Sequence, residues 1–167
     1  AWELLTEVFK IDKERLYVTV FNGDKEDNIG QDDESFEIWK KLLPEENIIF
    51  CSKKDNFWEM SSVGPCGPCT EIHIDLRNEE ERIKLNAIDL INQDHPLVIE
   101  LWNIVFIEHI RKKDLSLVSL DKKFVDTGMG FERLAMVLQN KRSTYEIDTF
   151  SVIINSICNI TSVHYGD

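Results

Sequence analysis

Trp2, Leu5 and Phe9 recur at helical spacing over residues 1–9, after which the period changes. Leu16, Tyr17, Val18, Thr19, Val20 and Phe21 form a β-branched and aromatic run that predicts a strand. Asn22-Gly23-Asp24 reads as a turn. Phe36, Trp39, Leu42 and Leu43 predict one helical face that stops at Pro44, and residues 48–51 predict a short strand. Gly64-Pro65-Cys66-Gly67-Pro68-Cys69 reads as a turn-rich loop feeding a strand over 70–75. Residues 78–92 read as a charged helical connection with Ile83, Ala87 and Leu90 inward, ended by Asp94-His95-Pro96. The longest apolar segment, 97–110, is rich in β-branched and aromatic residues and predicts a long central strand. Phe124-Val125 then leads into Asp126-Thr127-Gly128-Met129-Gly130, and Phe131, Leu134, Val137 and Leu138 give a helical stripe. No repeat, low-complexity tract or linker interrupts the pattern, which points to one domain of mixed strands and helices.

Composition sharpens this picture. At 167 residues, 43% hydrophobic and 30% charged, the chain can bury a real core, and disorder by composition is excluded. No apolar run reaches the roughly 18 residues of a membrane helix, so no membrane partner is expected. Acidic residues number 31 against 19 basic ones, a net charge of −12, so the bulk of the surface repels polyanions. Residues 24–46 alone carry nine carboxylates against three lysines, which reads as a solvated outer face. Cys51 and Cys158 stand alone and only Cys66 and Cys69 are close, so no secreted disulfide framework is visible and a reducing compartment is expected. A start without Met, already inside a helical pattern, leads us to expect a fragment.

Three places hold residues suited to chemistry. Cys66 and Cys69 have the spacing of a redox pair or of half a zinc site. Zinc needs two further ligands, yet His73 stands alone on a predicted strand; a redox pair should precede a helix, yet a strand follows. The run therefore reads first as a tight backbone-shaping loop. In Asp126-Thr127-Gly128-Met129-Gly130-Phe131-Glu132-Arg133, a strand end delivers a carboxylate, and a helix opens with Arg133 in its first turn. That suits a cationic amine at Asp126 and a phosphate at Arg133, with glycines that either admit a ligand or serve the turn alone. In the long strand, alternation sets Leu101, Asn103, Val105 and Ile107 on one face and Glu100, Trp102, Ile104 and Phe106 on the other. Asn103 is then either a satisfied core amide or a ligand contact.

Asp55-Asn56-Phe57-Trp58-Glu59-Met60, the GPCGPCTEIH run at 64–73, Glu100-Leu101-Trp102-Asn103 and the DTGMGFER run at 126–133 together resemble the catalytic core of the alanyl-tRNA synthetases. The likeness runs in order and spacing from Trp2-Glu3-Leu4-Leu5-Thr6 to Asp148-Thr149-Phe150, nearly the whole chain. The run at 126–133 resembles the third signature motif of class II synthetases. The resemblance implies an α+β fold, an antiparallel sheet flanked by helices with ATP and amino acid lying on the sheet. It implies an alanine–tRNA ligase, in which alanine's carboxylate attacks the α-phosphorus of ATP and the alanyl group then passes to the end of tRNA(Ala). Such transfer rests on positioning and charge stabilisation, so no covalent or acid–base catalyst is expected.

By the same resemblance, Asp126 holds the alanine ammonium, Asn103 and Val105 line the alanine pocket, Trp58 walls it, and Gly128 lets the backbone approach the substrate. Arg133, with Gly130, holds the phosphates of ATP. Glu100 is a candidate ATP or Mg2+ contact that strict alternation turns away from Asn103 unless a bulge intervenes. Zinc is not expected in this segment, and the CGPC run is implied to be a loop beside the active site. Two departures stand out: Ser61-Ser62-Val63 replaces the family's usual Gly-Asp-Thr, and Ile110-Arg111 replaces Asn-Arg. The resemblance places class II motifs 1 and 2 before residue 1, and tRNA recognition and editing after residue 167. Residues 1–167 are thus expected to be a partial aminoacylation domain, inactive alone. The wording of Glu71-Ile72-His73-Ile74-Asp75, Glu100-Leu101-Trp102 and Gly130-Phe131-Glu132-Arg133 leans towards the animal mitochondrial form and a matrix location, with the cytoplasm as alternative. Two other readings compete: a catalytically silent synthetase-like binding module, and a thiol redox protein.

Overall fold

A computed structural model of the chain describes residues 1–166, and the backbone divides into two compact units, Ala1–Met129 and Gly130–Asp167. The first unit is built on six strands: β1 (Leu16–Phe21), β2 (Ile48–Cys51), β3 (Phe57–Glu59), β4 (Gly64–Asp75), β5 (Val98–Arg111) and β6 (Leu117–Met129). They run in the order β2-β1-β4-β5-β6, with β3 also paired to β4. Only β1 and β2 are parallel; every other pair is antiparallel. Short helices α1 (Asp33–Trp39), α2 (Lys53–Asn56) and α3 (Glu79–Lys84) fill the connections.

All six residues of β1 are buried, because it lies inside the sheet and is covered on both faces. Leu16, Val18, Val20, Ile72, Ile74 and Leu101 are almost wholly shielded from water, each worth about 1.5–3 kcal/mol of apolar burial. α1 packs by Trp39, whose indole N–H donates to Thr70 Oγ1 at 2.9 Å. Its start is fixed by Asp32, which accepts from the Ser35 amide. α3 opens on a reciprocal cap between Asn78 and Glu81.

Several expectations are corrected. The GPCGPC run is no loop: Gly64–Asp75 is one continuous strand, wedged between β3 and β5. Pro68 is accommodated where the ladder is irregular, since an extra residue on β5 separates the Cys66–His109 pair from the Cys69–Val105 pair, whereas Pro65 lies in regular register with Ile110. Gly67 is what permits this approach, because a Cβ there would lie 1.9 Å from the Phe106 carbonyl oxygen. α1 ends at Trp39, so Leu43 is buried but Leu42 is exposed. The 78–92 helix is shorter than its charge pattern suggested. α3 stops at Lys84, Ile83 is 85% exposed, and Ala87 reaches the core from a separate turn, Ala87–Leu90. β6 is longer than expected, and only its last residues had a strand-like signal because Leu117–Met129 is exposed along most of its length.

The second unit holds α4 (Phe131–Leu138), the turn Thr144–Glu146 and α5 (Asp148–Thr161). Leu134 of α4 is buried as expected, whereas Phe131 and Leu138 are exposed.

Candidate active site

The register of the sheet gathers the site. Val105 of β5 faces Asp126 of β6, and Asn103 faces Gly128. Across the other edge of β5, Cys69 faces Val105 and Glu71 faces Asn103, while Thr19 of β1 faces Glu71. Directly opposed residues share a face. Two rows therefore lie on one side of the sheet: Cys69, Val105, Asp126, and beside it Thr19, Glu71, Asn103, Gly128. Trp58 pairs with Gly67, which shares the parity of Cys69 and Glu71, so the indole stands on the same face.

Glu100 joins this face as well. Ile72 opposes Trp102, but His73 opposes Glu100, so Leu101 is an extra residue on β5. Past it the alternation inverts, and strict alternation, which put Glu100 opposite to Asn103, is corrected. Leu101 is itself buried, which holds the bulge in place.

Asn103 Oδ1 is buried and has no hydrogen-bond partner among the described residues. Desolvating an amide oxygen without a partner costs about 1–3 kcal/mol, so the atom marks a place for a donor. Val105 below it is buried and apolar. Asp126 is exposed, with Oδ1 accepting from the Thr127 amide at 2.9 Å. Thr127 points its hydroxyl to the Asn103 carbonyl at 2.9 Å and receives the Trp102 indole N–H, which ties β6 to β5 at this level. A Cβ on Gly128 would meet nothing within 4 Å, so no protein atom requires glycine there and the space above it is open.

Gly130 and Arg133 belong to the second unit. A Cβ on Gly130 would sit 3.0 Å from Arg133 Cδ, so the glycine gives room for the arginine stem over the first turn of α4. A cavity of about 1180 Å³ within this unit is lined by residues from Asn140 to Tyr165 and contains none of the expected site residues.

The thiols are not poised for chemistry. Burial pushes Cys69 up to about 12, with the Glu71 charge adding to the shift, and pushes Cys51 up to about 11. Cys66 is raised by burial too. A reactive cysteine needs the opposite shift. Cys69 instead donates to the Asp55 carbonyl, 3.8 Å away, and Cys66 packs with Phe21 and Phe57.

Sequence reasoning missed a buried polar group beneath this face. Glu71 is 7% exposed, and its Oε2 accepts from Thr19 Oγ1 at 3.1 Å and Asn92 Nδ2 at 3.3 Å, and lies 3.0 Å from His73 Nε2. Asn56 joins through Thr19 and the Cys69 carbonyl. The alternation Thr70-Glu71-Ile72-His73-Ile74-Asp75 signals a polar face, but a strand half open to water gives the same signal. Arg111 was missed as well. It is buried at 6% exposure, forks onto Asp27 with both contacts at 2.6 Å, and reaches Glu59 Oε1 at 2.8 Å. Asp27 is therefore not part of a solvated face. The Arg111 guanidinium, helped by Lys53, holds its carboxyl far below the usual carboxylate range against the opposing effect of burial.

A mixed α+β fold with a sheet of six strands flanked by helices is the architecture of a class II tRNA synthetase domain. The family described as tRNA synthetases class II (A) matches residues 1–167, and the chain belongs to it. Relatives similar to it are alanine–tRNA ligases. That of Christiangramia forsetii is 58% identical over 167 residues, covering 99% of this chain and 19% of the relative. That of Flavobacterium psychrophilum is 56% identical over 165 residues, with the same shares. That of Porphyromonas gingivalis is 52% identical over 167 residues, covering 100% of this chain and 19% of the relative. The chain thus spans about a fifth of the length of the curated relatives it matches. Among the described residues, no helix is long and apolar enough to cross a membrane.

Proposed function

We propose that the chain carries part of the aminoacylation site of an alanine–tRNA ligase. The observation that carries this reading is the row arrangement, in which a buried, unpartnered Asn103 Oδ1 stands beside apolar Val105, the exposed Asp126 carboxylate and the open backbone at Gly128. Such a face suits a small zwitterion. Asp126 pairs with the alanine ammonium, Asn103 Oδ1 accepts a hydrogen bond from the ligand, and Val105 and Trp58 bound the space around the methyl group. So held, alanine's carboxylate attacks the α-phosphorus of ATP in line and the bond to pyrophosphate breaks, leaving alanyl-adenylate; a hydroxyl of the terminal adenosine of tRNA(Ala) then attacks the alanyl carbonyl carbon and AMP leaves. Arg133, its stem lying over Gly130, takes the terminal phosphates, since a guanidinium spans two phosphate oxygens. Glu100 offers an oxygen ligand on the same face and is the residue that would hold Mg2+ arriving with ATP. When bound, that ion neutralises phosphate charge.

Ser61-Ser62-Val63 lies in the exposed connection between β3 and β4, away from the paired rows, so this departure gives no support to a catalytically silent module. The animal mitochondrial form and a matrix location are proposals resting only on the wording of three short runs, and the bacterial relatives add no support to either.

The test is amino-acid-dependent pyrophosphate exchange by the full-length protein that carries this chain. Exchange should be driven best by alanine, weakly by serine and glycine, and not by larger amino acids. Equal exchange with valine or leucine would refute the pocket, and none with any amino acid would favour a silent module.

A further inference from the structure

Glu71 has no role in the site described above, yet its setting is unlike that of a structural carboxylate. Oε2 is held by Thr19 from β1, by His73 from its own strand and by Asn92 from the connection before β5. Oε1 makes no hydrogen bond among the described residues and keeps contact with solvent, the residue being 7% exposed. A charge brought this far out of water is costly unless its oxygens find donors. Here three donors converge on one oxygen and leave the other at the floor of the ligand face, in the row of Asn103 and Gly128.

The donor that meets Oε1 cannot be the group on Asp126. Glu71 stands two strands from Asp126 and two residues along, a Cα separation of roughly 12 Å from strand spacing and rise. Thr19 also draws its carboxylate towards β1, away from β5 and β6. Alanine spans less than half that distance. This rests on the alanine–tRNA ligase reading: with alanine on Asp126, whatever reaches Glu71 belongs to the second substrate. We propose that Glu71 is a ligand contact whose Oε1 accepts a hydrogen bond from a neutral donor on the nucleoside part of ATP, either a ribose hydroxyl or the adenine amino group. The three donors on Oε2 fix the carboxylate so that Oε1 faces the ligand before it arrives.

The experiment uses the full-length protein and alanine-dependent pyrophosphate exchange. Glu71→Gln keeps the shape and one acceptor oxygen. It should raise the KM for ATP about tenfold or more, as loss of a hydrogen bond to a charged acceptor does, with the KM for alanine within about twofold and the thermal midpoint little changed. ATP analogues identify the donor: 2′-deoxy-ATP and 3′-deoxy-ATP lack a ribose hydroxyl, and purine riboside triphosphate lacks the amino group. One of them should carry a KM penalty in the wild type that disappears in Glu71→Gln. Should that variant fail to fold, Asn92→Ala, which removes one of the donors on Oε2 at a partly buried position, should raise the same constant by about two- to fivefold. An unchanged ATP constant in either folded variant, analogue penalties that persist, or a shifted Mg2+ requirement overturns the assignment. Asp126→Asn runs alongside: if it leaves the alanine constant unchanged, the alanine–tRNA ligase reading fails, whereas if it behaves as expected and Glu71→Gln does not, only the role of Glu71 fails.

Discussion

Arg111 and Asn103 sit eight residues apart on the same strand, and both are polar groups drawn into the sheet. Around Arg111 every nitrogen has an acceptor: Asp27 takes both ends of the fork, Glu59 takes Nε and the Leu115 carbonyl takes a further bond from Nη1. Around Asn103 the side-chain oxygen has none among the described residues, and among them its neighbour Glu71 is satisfied on one oxygen alone. A saturated buried charge joins parts of the chain far apart in sequence, here the 22–31 loop, β3 and the β5–β6 hairpin. An unsaturated buried polar atom is a cost to folding, offset when a ligand or a water supplies the missing partner. On the proposed function, β5 thus divides into a structural clamp at Arg111 and a binding face around Asn103.

Removing the clamp should give the largest effect on stability. Arg111→Met leaves Asp27 with Lys53 alone and takes the guanidinium from Glu59, and should cost up to about 3–5 kcal/mol, read as a fall in the denaturation midpoint of the full-length protein. Alanine and ATP constants of the folded fraction should hold; if they collapse while stability does not, the clamp belongs to the site. Asp126→Asn should do the reverse. It should lose about 2–5 kcal/mol in kcat/KM for alanine, the range for breaking a charge pair at a binding face, with unfolding almost unaffected. Asn103→Ala should cost alanine activation about 1–3 kcal/mol and leave stability level or improved, because an unpaired acceptor is removed; a marked destabilisation would make Asn103 an ordinary core amide.

The clamp also has a pH signature. Asp27 is held below its unfolded value, so its contribution is complete above about pH 4 and is lost as pH falls towards the depressed folded value. The stability gap between wild type and Asp27→Asn, followed by denaturant titration, should therefore be constant from neutral pH to about pH 5 and close below pH 4. A gap that closes on raising the pH would contradict the assignment. The smallest effect is expected from Cys66→Ala with Cys69→Ala. Thiols raised by burial act as small apolar side chains, so turnover should stay within about threefold; abolished turnover in a folded double variant would restore a chemical role for the pair.

How far these two regions were legible differs for a physical reason. β1, β5 and the onset of α4 announce themselves by periodicity, and Trp58, Asn103, Val105, Asp126 and Gly128, which the family resemblance assigned to an alanine pocket, share one sheet face. Glu100 required a bulge, and an inserted Leu101 leaves no mark in the alternation of a run that is apolar throughout. The GPCGPC strand was hidden because glycine and proline signal turns locally, while here the pairing of β3 and β5 on its two edges overrides that preference. The clamp was invisible because its partners, Asp27 and Arg111, are 84 residues apart, and a carboxylate in an acidic stretch looks solvated until the fold supplies the cation.

The division of β5 is tested most directly by a crystal structure of the full-length protein with alanine and a non-hydrolysable ATP analogue. The ammonium should lie within hydrogen-bond distance of Asp126, a ligand donor should meet Asn103 Oδ1, and the Arg111–Asp27–Glu59 contacts should be unchanged from those described above. Alanine bound elsewhere, with Asn103 Oδ1 still unpartnered, would contradict the account.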